Sequence, residues 1–127
     1  MAAEQDHIRK AGQRLQRRFA ERQARYQTLH AQAVQDFDAI VRMIVNEFNP
    51  SRVYQWGSLL RADRFRDYSD IDVAVEGVVE AEAYFRMVGK AQAMTDFPVD
   101  IVQLEKIEPE FAESIRTDGK LVYERKR

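Results

Sequence analysis

The first third of the chain has the spacing of an amphipathic helix. Between Glu4 and Phe48 there is no proline, and the apolar side chains recur mostly at steps of three, four or seven residues. This period predicts one helix, about 65–70 Å long at roughly 1.5 Å per residue. Such a helix is longer than the rest of the domain, so its first turns are expected to project, bend back or pack on another chain. The denser apolar positions from Val34 onward predict the part that docks on the core.

After Pro50 the pattern alternates between strand-like and helix-like segments. This alternation predicts an α+β domain, in which a small mixed sheet carries helices on one face. Trp56 ends the first strand and is interpreted as a buried anchor rather than a base-stacking platform, while Tyr54, Phe85 and Phe97 are assigned to the core. The predicted strands are 52–56, 71–75, 99–104 and 121–123, the predicted helices are 79–94 and 110–117, and a helical turn is predicted over 59–63.

Composition narrows the class of protein. The chain has 127 residues, of which 45% are hydrophobic and 32% charged, as in a single soluble domain. It contains no run of about 18 apolar residues and no signal peptide, so no membrane span is predicted and a cytoplasmic location is expected. The absence of cysteine excludes disulfides, thiolate metal sites and a cysteine nucleophile, and two histidines are too few for a histidine-rich metal site.

The charge is unevenly distributed. From Arg9 to Arg25 there are seven basic residues and one acid, whereas residues 49–127 carry 12 basic and 15 acidic residues, a net charge of −3. A solvated helix face is the preferred interpretation, and nucleic acid is not an expected partner because few aromatic residues interleave with the arginines. The thin apolar stripe of this helix needs a partner surface, so a homodimer through the helix is expected. The alternative is that the helix docks on a different protein.

Three carboxylates stand at or near the starts of two predicted strands. Asp70 and Asp72 are two residues apart and therefore share a face, and Asp100 interrupts an apolar run where an unpaired charge is costly. If the two strands are neighbours, the three carboxylates converge. Hard oxygen ligands of this kind suit Mg²⁺, and a pair of such ions can serve phosphoryl transfer. Gly57 allows close approach of a phosphate, and a helical turn from Ser58 would present free N–H groups to it.

The ordered set of these motifs resembles the signature of a known superfamily. The motifs are Gly57-Ser58, Ser69-Asp70-Ile71-Asp72-Val73-Ala74-Val75 and Val99-Asp100-Ile101-Val102. They resemble the nucleotidyltransferases of the DNA polymerase β-like fold, in particular the minimal nucleotidyltransferases. The resemblance covers about residues 34–125, so a domain is expected over 34–127, with residues 1–33 as a helical extension. It implies an α+β fold with a palm-like mixed sheet, flanking helices and, here, a long N-terminal helix.

The resemblance also implies roles for individual residues. Asp70 and Asp72 would bind two Mg²⁺ ions, and Asp100 would bind the catalytic ion and act as the base. The residues implied in nucleotide binding are Gly57, Ser58, Arg61 and Ser69, with Ser58 on the triphosphate. The chain departs from the family pattern at Leu59, where the family has arginine, and at Ala62, where it has glycine; this departure weakens the expectation of tight nucleotide binding.

The implied activity is transfer of AMP from ATP to a hydroxyl group. Minimal family members are often paired with ribonuclease toxins of the HEPN type, so the resemblance implies an antitoxin that adenylylates a toxin tyrosine. Two alternatives to this activity stay open. In the first, the chain is a binding module of the same fold with idle carboxylates, which Leu59 slightly favours. In the second, the chain binds nucleic acid through residues 9–25.

Overall fold

The structure is a computed structural model that describes residues 2–57 and 69–126. Each predicted helix and strand is present within two residues of its expected bounds, whereas the predicted turn at 59–63 lies outside the described residues. The elements follow in the order α1 (Ala2–Phe48), β1 (Arg52–Trp56), β2 (Ile71–Glu76), α2 (Ala81–Gln92), β3 (Val99–Gln103), α3 (Pro109–Asp118) and β4 (Lys120–Glu124).

The four strands form one mixed sheet in the order β3-β2-β1-β4. Strand β1 pairs antiparallel with both β2 and β4, and β2 pairs parallel with β3. A parallel pair needs a crossover connection, and α2 supplies it between β2 and β3. The predicted mixed sheet is therefore confirmed, and its two central strands include β2, which carries Asp72.

Alternate residues of the strands face two different hydrophobic clusters. On one face, Val53, Val73 and Ile101 pack with residues of α1 and α2. On the other face, Tyr54 and Ala74 pack with α3 through its buried apolar residues, which are Ala112 and Ile115. The expectation that all helices cover one face is therefore wrong for α3, because the even-numbered residues of β1 and β2 offer a second apolar patch that this helix covers.

Helix α1 is continuous, and only its C-terminal part is buried. The buried residues of this helix are Ala33, Phe37, Ile40 and Ile44. The Thr95 hydroxyl donates to Asp36 at 2.7 Å, which links the chain just after α2 to α1. Towards the N-terminus Ile8, Leu15 and Phe19 are 73%, 65% and 61% exposed. The N-terminal half therefore projects from the domain, as the length of the helix predicts.

The prediction that three aromatic residues belong to the core is only partly correct. Tyr54 and Phe97 are buried, but Phe85 is 70% exposed. Neighbouring helical residues point about 100° apart, and Tyr84 takes the inward direction, where its hydroxyl donates to the Ile101 carbonyl at 2.7 Å. Phe85 therefore faces outward. Within the described part of the chain, no helix has the length and apolar character needed to cross a membrane.

Candidate active site

A row of three side chains crosses the sheet on the face that α3 covers. Trp56 in β1 is the register partner of Asp72 in β2, and Asp72 is the register partner of Asp100 in β3. Register partners on adjacent strands lie about 4.7–4.9 Å apart and point to the same face. The residues two places further along β2 and β3, Ala74 and Val102, belong to or pack against the α3 cluster, which identifies this face. The sheet thus brings together the carboxylates of the two predicted acidic strands.

Gly57 has a structural reason to be glycine at this place. Its φ angle is +81°, in the left-handed region that favours glycine, and a Cβ built on it would lie 2.0 Å from Oδ2 of Asp72. Any larger side chain would therefore collide with the carboxylate of the row. The sequence motif predicts that Gly57 makes room for a phosphate; the structure shows that it makes room for Asp72.

The carboxyl group of Asp72 has a strongly perturbed acidity. Asp72 is only 9% exposed, whereas Asp70 and Asp100 are exposed. Burial raises the pKa of Asp72 to about 7, and the negative charges of Asp100 and then Asp70 contribute in the same direction. Repulsion among three neighbouring carboxylates by itself raises the pKa of such a group, but burial is the larger cause for Asp72. Asp72 is thus poised to change its charge near neutral pH.

The three carboxylates of the predicted metal site do not converge on one point in the structure. Among the described residues, no three His, Cys, Asp or Glu side chains are grouped so that they could hold a metal ion. Like charges at short range repel, and this repulsion opposes convergence of the carboxylates in the chain alone. The donor set nevertheless fits Mg²⁺ in its chemistry, because it consists of carboxylate oxygens. The pKa of one of these carboxyl groups, Asp72, is raised by burial and then by the charges of the other two. A cation among them would favour the ionised form of Asp72.

The predicted nucleotide-binding residues divide into two groups. Gly57 contacts the site directly, and Ser69 is buried immediately before Asp70. Ser58 and Arg61 lie outside the described residues, as does Leu59. Their roles stay predictions.

Phe111 lies beside the site, and the sequence pattern does not predict it. Its ring contacts Trp56 edge to face, with the centroids 5.5 Å apart and the planes at 87°. The relevant signal is an aromatic residue two places after Pro109, which starts α3, but the sequence does not reveal which face of the sheet that helix covers. Trp56 is half-buried rather than fully buried, so its interpretation as a buried anchor is only partly correct.

Comparison with known proteins gives one family and several similar folds. A family model described as polymerase beta, nucleotidyltransferase matches residues 38–127. No curated protein sequence matches the chain.

Three of the similar solved structures are toxin-antitoxin complexes. A chain of a toxin-antitoxin complex with AMP-PNP is 22% identical, with a TM-score of 0.61 and coverage of 71% of this chain and 74% of that chain. A chain of the MntA-HepT complex is 20% identical, with a TM-score of 0.56 and coverage of 72% of each chain. A chain of the complex of tri-AMPylated Shewanella oneidensis HEPN toxin with MNT antitoxin is 22% identical, with a TM-score of 0.55 and coverage of 73% of each chain. At these identities the likeness shows the fold.

Proposed function

The chain belongs to the polymerase beta nucleotidyltransferase family, and we propose that it moves AMP from ATP to a hydroxyl group of a partner protein, with release of pyrophosphate. The observation that carries this proposal is the row across the sheet, in which Asp72 and Asp100 stand side by side next to Gly57. Asp70 is close enough to contribute to the raised pKa of Asp72. The fold therefore offers oxygen ligands, a close-approach glycine and an exposed carboxylate within one region of its surface.

Each carboxylate has a distinct task in the proposed reaction. Asp70 and Asp72 hold the cations, and Asp100 both contributes a ligand and accepts the proton of the attacking hydroxyl. Two Mg²⁺ ions, when bound, neutralise the triphosphate and the charge that develops during transfer. Asp100 is exposed, so an acceptor hydroxyl can reach it, whereas Asp72 is shielded beneath Gly57. Ser58, Arg61 and Ser69 are proposed to position the phosphates.

The proposed acceptor is a tyrosine of a HEPN-type toxin, which would make this chain an antitoxin. The support is that solved structures of similar fold are toxin-antitoxin complexes, one of which contains a tri-AMPylated HEPN toxin with its MNT antitoxin. Use of ATP also agrees with the predicted cytoplasmic location.

A homodimer through α1 is proposed as the assembly. A helix advances about 100° per residue, so positions 18 residues apart fall on the same side. Ile8 therefore lies on the side of buried Ile44, and the exposed Phe19 on the side of buried Phe37. The apolar side of the projecting half thus continues the buried side. Repulsion among the seven basic residues between Arg9 and Arg25 favours antiparallel crossing, or packing on the acidic domain of a second copy.

The decisive experiment is transfer of labelled AMP. We would incubate the chain with α-labelled ATP, Mg²⁺ and a co-expressed HEPN-type toxin, and follow label on the toxin together with its intact mass. Asp100→Asn is expected to reduce transfer at least about 100-fold, as for loss of a general base. Asp96→Asn, which changes an exposed carboxylate outside the row, is the matched control and should keep the activity. Binding and neutralisation of the toxin without any label would instead identify a contact-only module of the same fold.

A further inference from the structure

A small cavity lies between the end of β1 and helix α3. Its volume is about 220 Å³. We call it the aromatic pocket; the lining residues used below are Trp56, Gly57, Phe111, Ser114, Asp118 and Gly119. Gly57 is also the residue whose backbone lies against the Asp72 carboxylate. The aromatic pocket therefore begins where the carboxylate row ends, and one ligand can reach both.

The walls of the aromatic pocket suit a flat, polar ring. Trp56 and Phe111 meet edge to face, and Phe111 is 41% exposed, so part of its ring is open to a stacking partner. Ser114 and Asp118 add polar atoms to the lining. The Ser114 hydroxyl lies 3.4 Å from an Asp118 carboxylate oxygen, which is a long bond that a ligand amine can replace.

Two further features concern the residues that form the walls of the aromatic pocket. The indole Nε1 of Trp56 is buried and lacks a hydrogen-bond partner within residues 2–57 and 69–126, an uncommon condition in native proteins. Gly119 holds α3 close to β1, because a Cβ there would lie 2.5 Å from the Ile115 carbonyl oxygen and 2.8 Å from that of Gln55. Enlarging Gly119 would push the helix away and open the pocket.

The size of the pocket identifies the part of a ligand that it can take. Sites for whole small molecules measure about 300–1,000 Å³, so a cavity of about 220 Å³ takes one ring system and leaves the rest of the ligand outside. We infer that the aromatic pocket holds the purine base of the nucleotide, stacked against Phe111, with its exocyclic amine donating to Asp118. This inference rests on the proposed function for the position of the phosphates, near Gly57. It assigns to Trp56 the base-contacting role that the sequence disfavours.

The test uses the fact that Trp56 is the only tryptophan of the chain. Its fluorescence therefore reports on the aromatic pocket without labelling. We would titrate the full chain with AMP-PNP and Mg²⁺, and in parallel with tripolyphosphate, which has no base. AMP-PNP should change the emission saturably, and tripolyphosphate should leave it nearly unchanged. Phe111→Ala should weaken AMP-PNP binding about tenfold, a typical loss for one stacked base. Phe85→Ala removes an exposed ring on the opposite face and should bind as the wild type does.

The outcomes separate this inference from the proposed function. An equal emission change with tripolyphosphate or with a pyrimidine triphosphate overturns the base assignment, as does unchanged affinity in Phe111→Ala. Phe111→Leu keeps apolar volume without a ring, so it should also lose affinity while circular dichroism shows an intact fold. If AMP-PNP binds in the pocket but no AMP is transferred to any partner, the inference stands and the proposed function fails. If AMP is transferred but the chain binds purine and pyrimidine triphosphates equally well, the proposed function stands and the inference fails.

Discussion

Replacement of Asp72 by Asn should change how stability depends on pH. The pKa of this carboxyl rises from 3.8 to about 7 on folding, mainly through burial. A folded-state pKa above the unfolded value means that the stability contribution of the protonated group is complete below about pH 4 and is lost as pH rises through about 7. A rise of about three pKa units, at about 1.36 kcal/mol per unit, sets a ceiling of about 4 kcal/mol on the stability that is lost. Because solvent reaches the edge of the site, the expected loss in the free energy of unfolding is about 2–4 kcal/mol.

The assay is urea unfolding between pH 4 and 8 in the presence of a chelator, followed by circular dichroism. The wild-type free energy of unfolding should fall across this range, and Asp72→Asn should remove most of that fall because the amide does not ionise. Asp96→Asn should leave the slope as it is in the wild type. Addition of Mg²⁺ at pH 8 should raise the free energy of unfolding of the wild type and should have little effect on that of Asp72→Asn. A slope that is equal in the wild type and Asp72→Asn would refute the assignment of the raised pKa to this carboxyl.

Three further predictions concern other parts of the chain. Gly57→Ala should destabilise the fold by about 1–3 kcal/mol in urea unfolding, because it combines positive φ with a clash against the carboxylate row, whereas Gly12→Ala in open helix should stabilise by about 0.5–1 kcal/mol. Asp100→Asn should keep the wild-type melting temperature while transfer falls; a large loss of stability would point to a structural role. Deletion of residues 2–24 should convert a dimer to a monomer in light scattering, and a monomeric full-length chain would contradict the proposed assembly.

The secondary structure could be predicted because local patterns decide it. The bounds of β1 and α3 follow from a strand that ends before Gly57 and a helix that begins at Pro109, and both signals lie in the sequence itself. The error at Phe85 has a local origin as well. The helical pattern leaves open whether Tyr84 or Phe85 faces the core, because the sequence does not show that the Tyr84 hydroxyl has the Ile101 carbonyl to donate to.

The candidate site could be predicted only in part, because it depends on register. The two-residue spacing predicts that Asp70 and Asp72 share a face, although β2 begins at Ile71, after Asp70. The pairing of Asp72 with Asp100 also requires that β2 and β3 be parallel neighbours without a shift of one residue. A shift of one residue would have turned Asp100 to the opposite face from Asp72, among the residues that pack on α1 and α2. The motif resemblance implies that the two acidic strands contribute to one site, but it does not give their register.

The role of α3 illustrates what sequence patterning leaves open. Its apolar side, Ala112 and Ile115, shows that the helix must cover something, but two faces of the sheet were available to it. The side chosen decides whether Phe111 is an isolated surface residue or a wall beside Trp56. Because α3 lies on the carboxylate face, the same helix that completes the second cluster also leaves a cavity next to the row. Packing and the proposed recognition of the nucleotide base therefore share one helix, and substitutions in α3 should be judged by their effects on both.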